Sequence, residues 1–495
     1  MKTLLLSSLI FFLLPAGKEA SPPHHLATRT TRLLPLAGPS DGQLVKQETP
    51  PASADVKLPV NFERHIGDLD DMVKRRTIRA LVVINPIGFF YEGGLPRGVM
   101  YEALNAFQTF VNQKLKTGAF KIEVTFLPVS VDQLGAALLE GTGDLIAYEV
   151  VITPERARRV TFSKPIRADI TEIIVTGRQD AISSFEALGG KKVYVNPLTV
   201  YDERLQKVND SLRASGKRPI LIESADRILT NDDLVQMVNA GMIPATVTTR
   251  MRADLWAQVL PNVMPHPRLV LASGAQAAWV MRKNNPQLRQ LVDEFVEGHT
   301  AGTSFGNTLL RRYLQDTHWI TASTSKSELD KFKALLALFK KYGAQYDLAH
   351  LLLAAQGYQE SQLNQAARGP GGAVGIMQVM PRDAAASPID IPDVYNENGN
   401  IHAAAKMLRH IADTYFNDPR LDALNRSLFV LASYNAGPNR IAGLRRQAET
   451  QGLDPNVWFD NVELIVGKEI GQVTVTYVRN IYKYYVAYKL ALPQA

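Results

Sequence analysis

The feature that most limits what this chain can fold into is a change of texture near residue 323. Upstream, strand-like runs alternate with helical patterns. IRALVVINP (Ile78 to Pro86), FKIEVTFLPV, DLIAYEVVIT, TEIIVTG and KKVYVN read as strands, VMYEALNAFQTFVNQKL reads as a helix, and a string of helical patterns then runs to about Leu314. β-Branched runs closed by turn residues mark strands, and apolar residues three and four apart mark helices. The alternation predicts a mostly parallel sheet covered by helices on both faces. It runs too long for one simple α/β unit, so two α/β lobes with a ligand cleft between them are expected. Downstream, LDKFKALLALFKKYGAQYDLAHLLLAAQGYQES, NIHAAAKMLRHIADTYF, RSLFVLASYNAG and TYVRNIYKYYVAYKLAL carry the helical period and almost no strand. The expected architecture is a two-lobed α/β domain over 61–320 and a mainly helical domain over 321–495.

Ahead of both, Met1-Lys2-Thr3 and the apolar run Leu4 to Pro15 give way to AGKEAS. This charged, apolar, small-residue order is that of a secretory leader, expected over 1–20. The Pro/Ser/Ala-rich stretch 21–60 reads as a flexible linker, and the pair His24-His25 within it as incidental. With no cysteine in its 495 residues, the chain has no disulfides, thiolate metal sites or lipid-anchored cysteine. No later segment has the roughly 18 consecutive apolar residues of a spanning helix. An exported protein whose membrane attachment is peripheral is therefore expected. The net charge of +7 comes without a long Lys/Arg block, so it suits an anionic surface or acidic polymer and gives no case for nucleic acid. The nine histidines show neither His-x-x-x-His nor Glu-x-x-His spacing, and no metal or other cofactor is expected.

The stretch YQESQLNQAARGPGGAVGIMQVMP (Tyr358 to Pro381) sets one carboxylate, Glu360, beside a glycine-rich loop. AHLLLAAQGYQE is helical and the glycines Gly369, Gly371 and Gly372 cannot continue it, so Glu360 falls near a helix C-terminus. The negative end of the helix dipole and the loss of water both favour the protonated carboxyl that a general acid needs. On spacing alone, an ordinary surface glutamate at a helix end is the commoner case. Asp383 and Asp390 follow in a looser segment.

Four motifs in order change that weighting. Glu360-Ser361 is followed by Gly375-Ile376-Met377-Gln378, then Ala432-Ser433-Tyr434-Asn435-Ala436-Gly437, then Tyr477 in a final helix. This series resembles the lytic murein transglycosylases of the Slt/goose-type lysozyme fold. The resemblance implies that Glu360 acts first as acid and then as base, and that Ser361 helps place the scissile sugar. It implies that Met377 and Gln378 line the cleft, with Tyr434, Asn435 and Tyr477 near the carboxyl. Arg368-Gly369-Pro370 stands where the family commonly has a small serine, and Arg382-Asp383 where a threonine commonly follows Met-Pro. Both departures concern loop shape.

Upstream, VITPERARRVTFSKPI (Val151 to Ile166), GDLIAYE and AAWVMRKNNPQLRQLVDEF resemble periplasmic amino-acid-binding proteins. The resemblance implies that Arg156 grips a ligand carboxylate, a task suited to its forked guanidinium. Pairing of Arg156 with an acid such as Glu155 or Asp144 is the plainer alternative. Val151 replaces an expected hydroxyl residue, and Thr248 or Thr249 falls where an acid would hold an α-ammonium. A cell-wall stem peptide therefore fits better than a free amino acid. The tandem of a periplasmic-binding-protein-like domain and a lysozyme-like domain resembles the membrane-bound lytic murein transglycosylase F family. It implies a periplasmic enzyme, peripherally attached to the outer membrane, acting on peptidoglycan glycan strands. The ligand expected in the first domain is a muropeptide or stem peptide, and the resemblance suggests that ligand there gates the second domain through the junction Asp316 to Lys341. The competing readings are a goose-type lysozyme using Asp383 or Asp390 to activate water, and a cell-wall sensor that binds glycan without cutting it.

Overall fold

The computed structural model describes residues 64–92, 95–197, 199–300, 302–310, 312–313 and 326–492. The leader, the linker with His24 and His25, and the part of the junction from Asp316 to residue 325 lie outside the described residues.

One nine-stranded sheet organises the chain up to residue 281. Its path runs through 123–128, 77–82, 145–151, 263–281, 167–177, 245–249, 192–195 and 221–224, with Thr161–Phe162 paired off the path to 263–281. Thr77–Val82 pairs in parallel with Glu123–Pro128 and Leu145–Val151, and Lys192–Val195 in parallel with Ala245–Thr249 and Leu221–Ser224. The centre differs from the mostly parallel sheet expected. Val263–Met281 runs antiparallel to Leu145–Val151 and to Arg167–Gly177, and so joins the two parallel wings.

Three of these strands, 221–224, 245–249 and 263–281, fall where only helical patterns were read. The first two are four and five residues long. The third carries Pro265, Pro267 and Gly274, and its register slips near Val270, Ala272 and Ala275, which erases the period-two signature.

Each wing has its own apolar core. Ile78, Phe107, Trp279 and Phe295 pack in the first, and Ile174, Val193, Leu205 and Val247 in the second. A further cluster joins Leu234, Met237 and Trp256 of the second wing to Phe332, Phe339, Phe429, Trp458 and Ile481. Beyond Lys326 the chain is helical apart from isolated bridges at Arg368–Val374 and Val374–Val379. The helix His350–Ser361 packs along the C-terminal helix Gln472–Ala491, which also packs against Ala423–Ala436. Among the described residues no helix is long and apolar enough to cross a membrane.

Candidate active site

The helix His350–Ser361 buries Leu352 through Tyr358 and ends where Gln362 and Leu363 turn left-handed, at φ of 55° and 60°. Glu360 therefore sits in the last turn, half-buried, with its back to the core. Its Oε1 accepts a hydrogen bond from the Tyr477 hydroxyl at 2.6 Å. Burial raises the Glu360 carboxyl to about 7, against the opposing pull of that bond. Burial also holds the Tyr434 and Tyr477 hydroxyls far above the usual phenol range, so both stay protonated donors.

The loop after this helix is fixed by backbone. Gly375 has φ of 76°, and a Cβ there would lie 2.5 Å from Asn400 Nδ2. That close approach lets Asn400, fully buried, clamp the loop. Its Oδ1 accepts from the Met377 amide at 2.8 Å, and its Nδ2 donates to the Val374 and Val394 carbonyls at 2.9 and 3.0 Å. The Ser361 hydroxyl donates to the Ile376 carbonyl at 2.9 Å, which ties the glutamate helix to the same loop. Gly357, one turn before Glu360, admits the loop from the other side: a Cβ there would lie 3.0 Å from Met377 Sδ.

The residues named from the motifs fall into two groups. Glu360, Ser361, Tyr434 and Tyr477 converge on the loop or the carboxyl. The Tyr434 hydroxyl donates to the Met377 carbonyl at 2.8 Å, while the Met377 side chain is wholly enclosed. Gln378, at φ of 46°, folds its amide back onto the Gly375 carbonyl at 2.8 Å. Asn435 lies a step away and accepts from Thr474 on the C-terminal helix at 2.7 Å. Asp383 pairs with Arg382 at 3.2 Å, and neither it nor Asp390 is among the groups acting on the Glu360 carboxyl.

Sequence reading missed Asn400 and Gln356. Both are buried polar residues inside apolar helical runs, and an amide at a core-facing helix position was the only signal available.

In the sheet domain, Arg156 is half-buried and its Nη1 donates to the Val151 carbonyl at 3.0 Å. Asp144 is not its partner. That carboxylate is fully buried among Arg75, Arg79 and Arg282, at 2.5, 2.9 and 3.3 Å. The acids whose charge reaches Arg156 are Glu203, Glu155 and Glu172. Glu172 is fully buried and ion-paired to Arg204, yet its Oε1 lacks a hydrogen-bond partner among the described residues. An acid thus does stand near Arg156, supplied by the strand Arg167–Gly177 and not by the Thr248 segment.

Two family models match the chain: bacterial extracellular solute-binding proteins, family 3, over residues 81–314, and the transglycosylase SLT domain over 337–456. Membrane-bound lytic murein transglycosylase F of Shewanella halifaxensis (strain HAW-EB4) is 26% identical over 423 residues, covering 80% of this chain and 82% of its own. The protein of the same name from Desulfosudis oleivorans (strain DSM 6200 / JCM 39069 / Hxd3) is 24% identical over 447 residues, covering 86% and 92%. Over four-fifths of its length the chain is thus similar to proteins named membrane-bound lytic murein transglycosylase F, and it carries both domain matches in tandem. Among solved structures, an ancestral arginine-binding protein bound to arginine aligns with 48% of this chain and 98% of its own, at 23% identity and a TM-score of 0.40. The SLT match holds Glu360 through Asn435, and Tyr477 lies beyond its end.

Proposed function

We propose that the protein is a peptidoglycan lytic transglycosylase that cleaves the β-1,4 bond between N-acetylmuramic acid and N-acetylglucosamine. Protonated Glu360 gives its proton to the glycosidic oxygen as the bond from C1 breaks. The C6 hydroxyl of the same muramic acid attacks C1, and the Glu360 carboxylate takes the proton that hydroxyl releases. The carboxyl is restored, no water is consumed, and the product ends in a 1,6-anhydro sugar. The tethered nucleophile supplies the large effective concentration that a second carboxylate would otherwise have to create by activating water.

The observation that carries this reading is a lone carboxyl, raised to about 7 by burial and hydrogen-bonded to a phenol. A group titrating there is protonated enough to act as acid and basic enough to act as base near neutrality. The test is mass spectrometry of soluble products from purified murein sacculi, with wild type beside Glu360→Gln. Muropeptides one water lighter than hydrolysed ones, absent with the variant, are expected. Reducing-end products would point to the hydrolase instead.

The finer reading is a periplasmic enzyme, held peripherally at the outer membrane, whose first domain takes a stem peptide or muropeptide and gates the second. Arg156 would receive a carboxylate of that ligand, and Glu172 an amide or ammonium donor. What supports gating is the wiring of the C-terminal helix. Tyr482 donates to Asp226 at 2.9 Å and Lys483 to Asp233 at 3.0 Å, both in the sheet domain, from the helix that carries Tyr477. A rate of sacculus digestion that is unchanged by saturating muropeptide would remove the gating reading.

A further inference from the structure

Gln356 lies one helical turn before Glu360 on the same helix, fully buried. Its Nε2 donates to the Tyr477 hydroxyl oxygen at 3.2 Å, and Tyr477 in turn donates to Glu360 Oε1 at 2.6 Å. The other end of the amide, Oε1, has no hydrogen-bond partner among the described residues. A buried primary amide in a run of Leu and Ala is costly unless both ends are used, and here one end stays open in the state described.

We propose that Gln356 is a positioning residue that keeps the Tyr477 hydroxyl correctly poled through both halves of the Glu360 cycle. A phenol has one proton. While Glu360 is a carboxylate, that proton must point at Glu360, and the Gln356 N–H holds it there by occupying the phenol oxygen. When Glu360 is protonated, its own O–H can donate to the phenol oxygen. The phenol proton then needs an acceptor, which the amide supplies by turning over to present Oε1. Only a side chain with a donor and an acceptor on one rotatable group serves both arrangements. A hydrogen-bond chain of this kind strengthens its terminal bond, so the amide acts on Glu360 through Tyr477 without touching the sugar.

The groups that face Glu360 leave this path the main tunable one. Tyr477 comes from the C-terminal helix and Tyr434 from Ala423–Ala436. Asp383, on the short helix Pro381–Ala385, reaches Tyr434 electrostatically but is not among the groups acting on Glu360. Gln378 of the glycine-rich loop spends its amide on the Gly375 carbonyl.

The inference rests on Glu360 being the acid proposed above, so its test uses one readout independent of turnover. The Glu360 titration is followed by carboxyl carbon-13 NMR in the full chain, assigned by difference from Glu360→Gln, and kcat and KM are measured on the same proteins. Gln356→Met, close in shape and without a donor, is expected to move the Glu360 midpoint upward by roughly half a pH unit or less and to lower kcat with little change in KM. In a Tyr477→Phe background the same substitution is expected to do nothing further. Gln356→Glu keeps the shape, and is expected to raise the Glu360 midpoint more strongly by bringing a second carboxyl to the phenol. An unmoved midpoint in both Gln356 variants, or an equal shift with and without the Tyr477 hydroxyl, would overturn the proposal. Wild-type protein that yields no anhydro product would instead count against the activity and leave the NMR result standing on its own.

Discussion

Asp460 accepts the backbone amide of Ser130 at 3.0 Å and its hydroxyl at 2.7 Å. Its Oδ2 also receives Arg227 at 3.2 Å, and Arg227 pairs with Asp132 at the same distance. One carboxylate from the helical part thus holds the Ser130 loop of the first wing and the Arg227 turn of the second. The turn that presents it, Trp458–Val462, is left-handed at Asp460, with φ of 59°. Asp460→Ala is expected to cost about 1–3 kcal/mol, the value of hydrogen bonds to a charged acceptor. Faster amide exchange is expected at Ser130 and in the Trp458–Val462 turn, with the helix around Glu360 unchanged. Protection at Ser130 equal to wild type would remove the latch.

The Glu360 carboxyl is raised in the folded chain to about 7, above its unfolded value. The folded state therefore binds the extra proton. The cost of ionising the group is absent below the unfolded pKa and grows as pH rises toward the folded one. Glu360→Gln is expected to leave the melting temperature unchanged near about pH 4 and to raise it near about pH 9, by stability on the order of 1–3 kcal/mol. Calorimetry at the two pH values checks this, and a variant equally stable or less stable at the higher pH would contradict it.

Catalysis should carry the same group in its pH profile. The rate of anhydro-muropeptide release is expected to fall as pH rises through about 7, as the proton donor is lost. Glu360→Gln is expected to lower the rate by roughly 10²–10⁴-fold below about pH 7, the gap narrowing as wild type loses its proton donor. Initial rates across the range would show it, and a rate that climbs through neutrality would contradict the assignment.

Asn400 makes three hydrogen bonds with its buried amide, two of them to the loop that carries Met377. Asn400→Leu is expected to destabilise the chain by about 2–4 kcal/mol, since it strands an N–H and two carbonyls while overfilling the gap beside Gly375. Activity is expected to fall as the loop loosens, even where the protein remains folded. Denaturant melts with product assays separate the two effects.

In the sheet domain, Arg156→Ala is expected to weaken muropeptide binding by about 10-fold or more, the loss of a charge-assisted hydrogen bond. Basal digestion of sacculi is expected to stay at the wild-type rate. Titration calorimetry reads the first and product release the second. Retained binding in the variant would move the ligand away from Arg156.

How much of this was legible beforehand depended on whether the information was local. Glu360-Ser361, the Gly375–Gln378 run, Tyr434-Asn435 and Tyr477 are contiguous signatures, each needing only its neighbours to be recognised. The order of helices after Lys326 was readable for the same reason, because amphipathic period is a property of a short window. The antiparallel strand Val263–Met281 was not, since its partners on both sides are distant and its prolines and bulges satisfy the sheet and not a period. Glu172 was hidden similarly. Its significance comes from Arg204 and Arg156, which lie on other elements. Asn400 and Gln356 were overlooked because a polar residue in an apolar helix reads as an interruption until its partners across the fold are known.

The residue that completes the carboxyl's hydrogen-bonding lies 117 positions after it in the chain. A polypeptide made or threaded from its N-terminus delivers Glu360 long before Tyr477. Until the last helix docks, the carboxyl has no phenol to steady it and no packed wall to raise its affinity for a proton. The proton donor proposed for this chain is therefore complete only once the helix Gln472–Ala491 has packed against His350–Ser361.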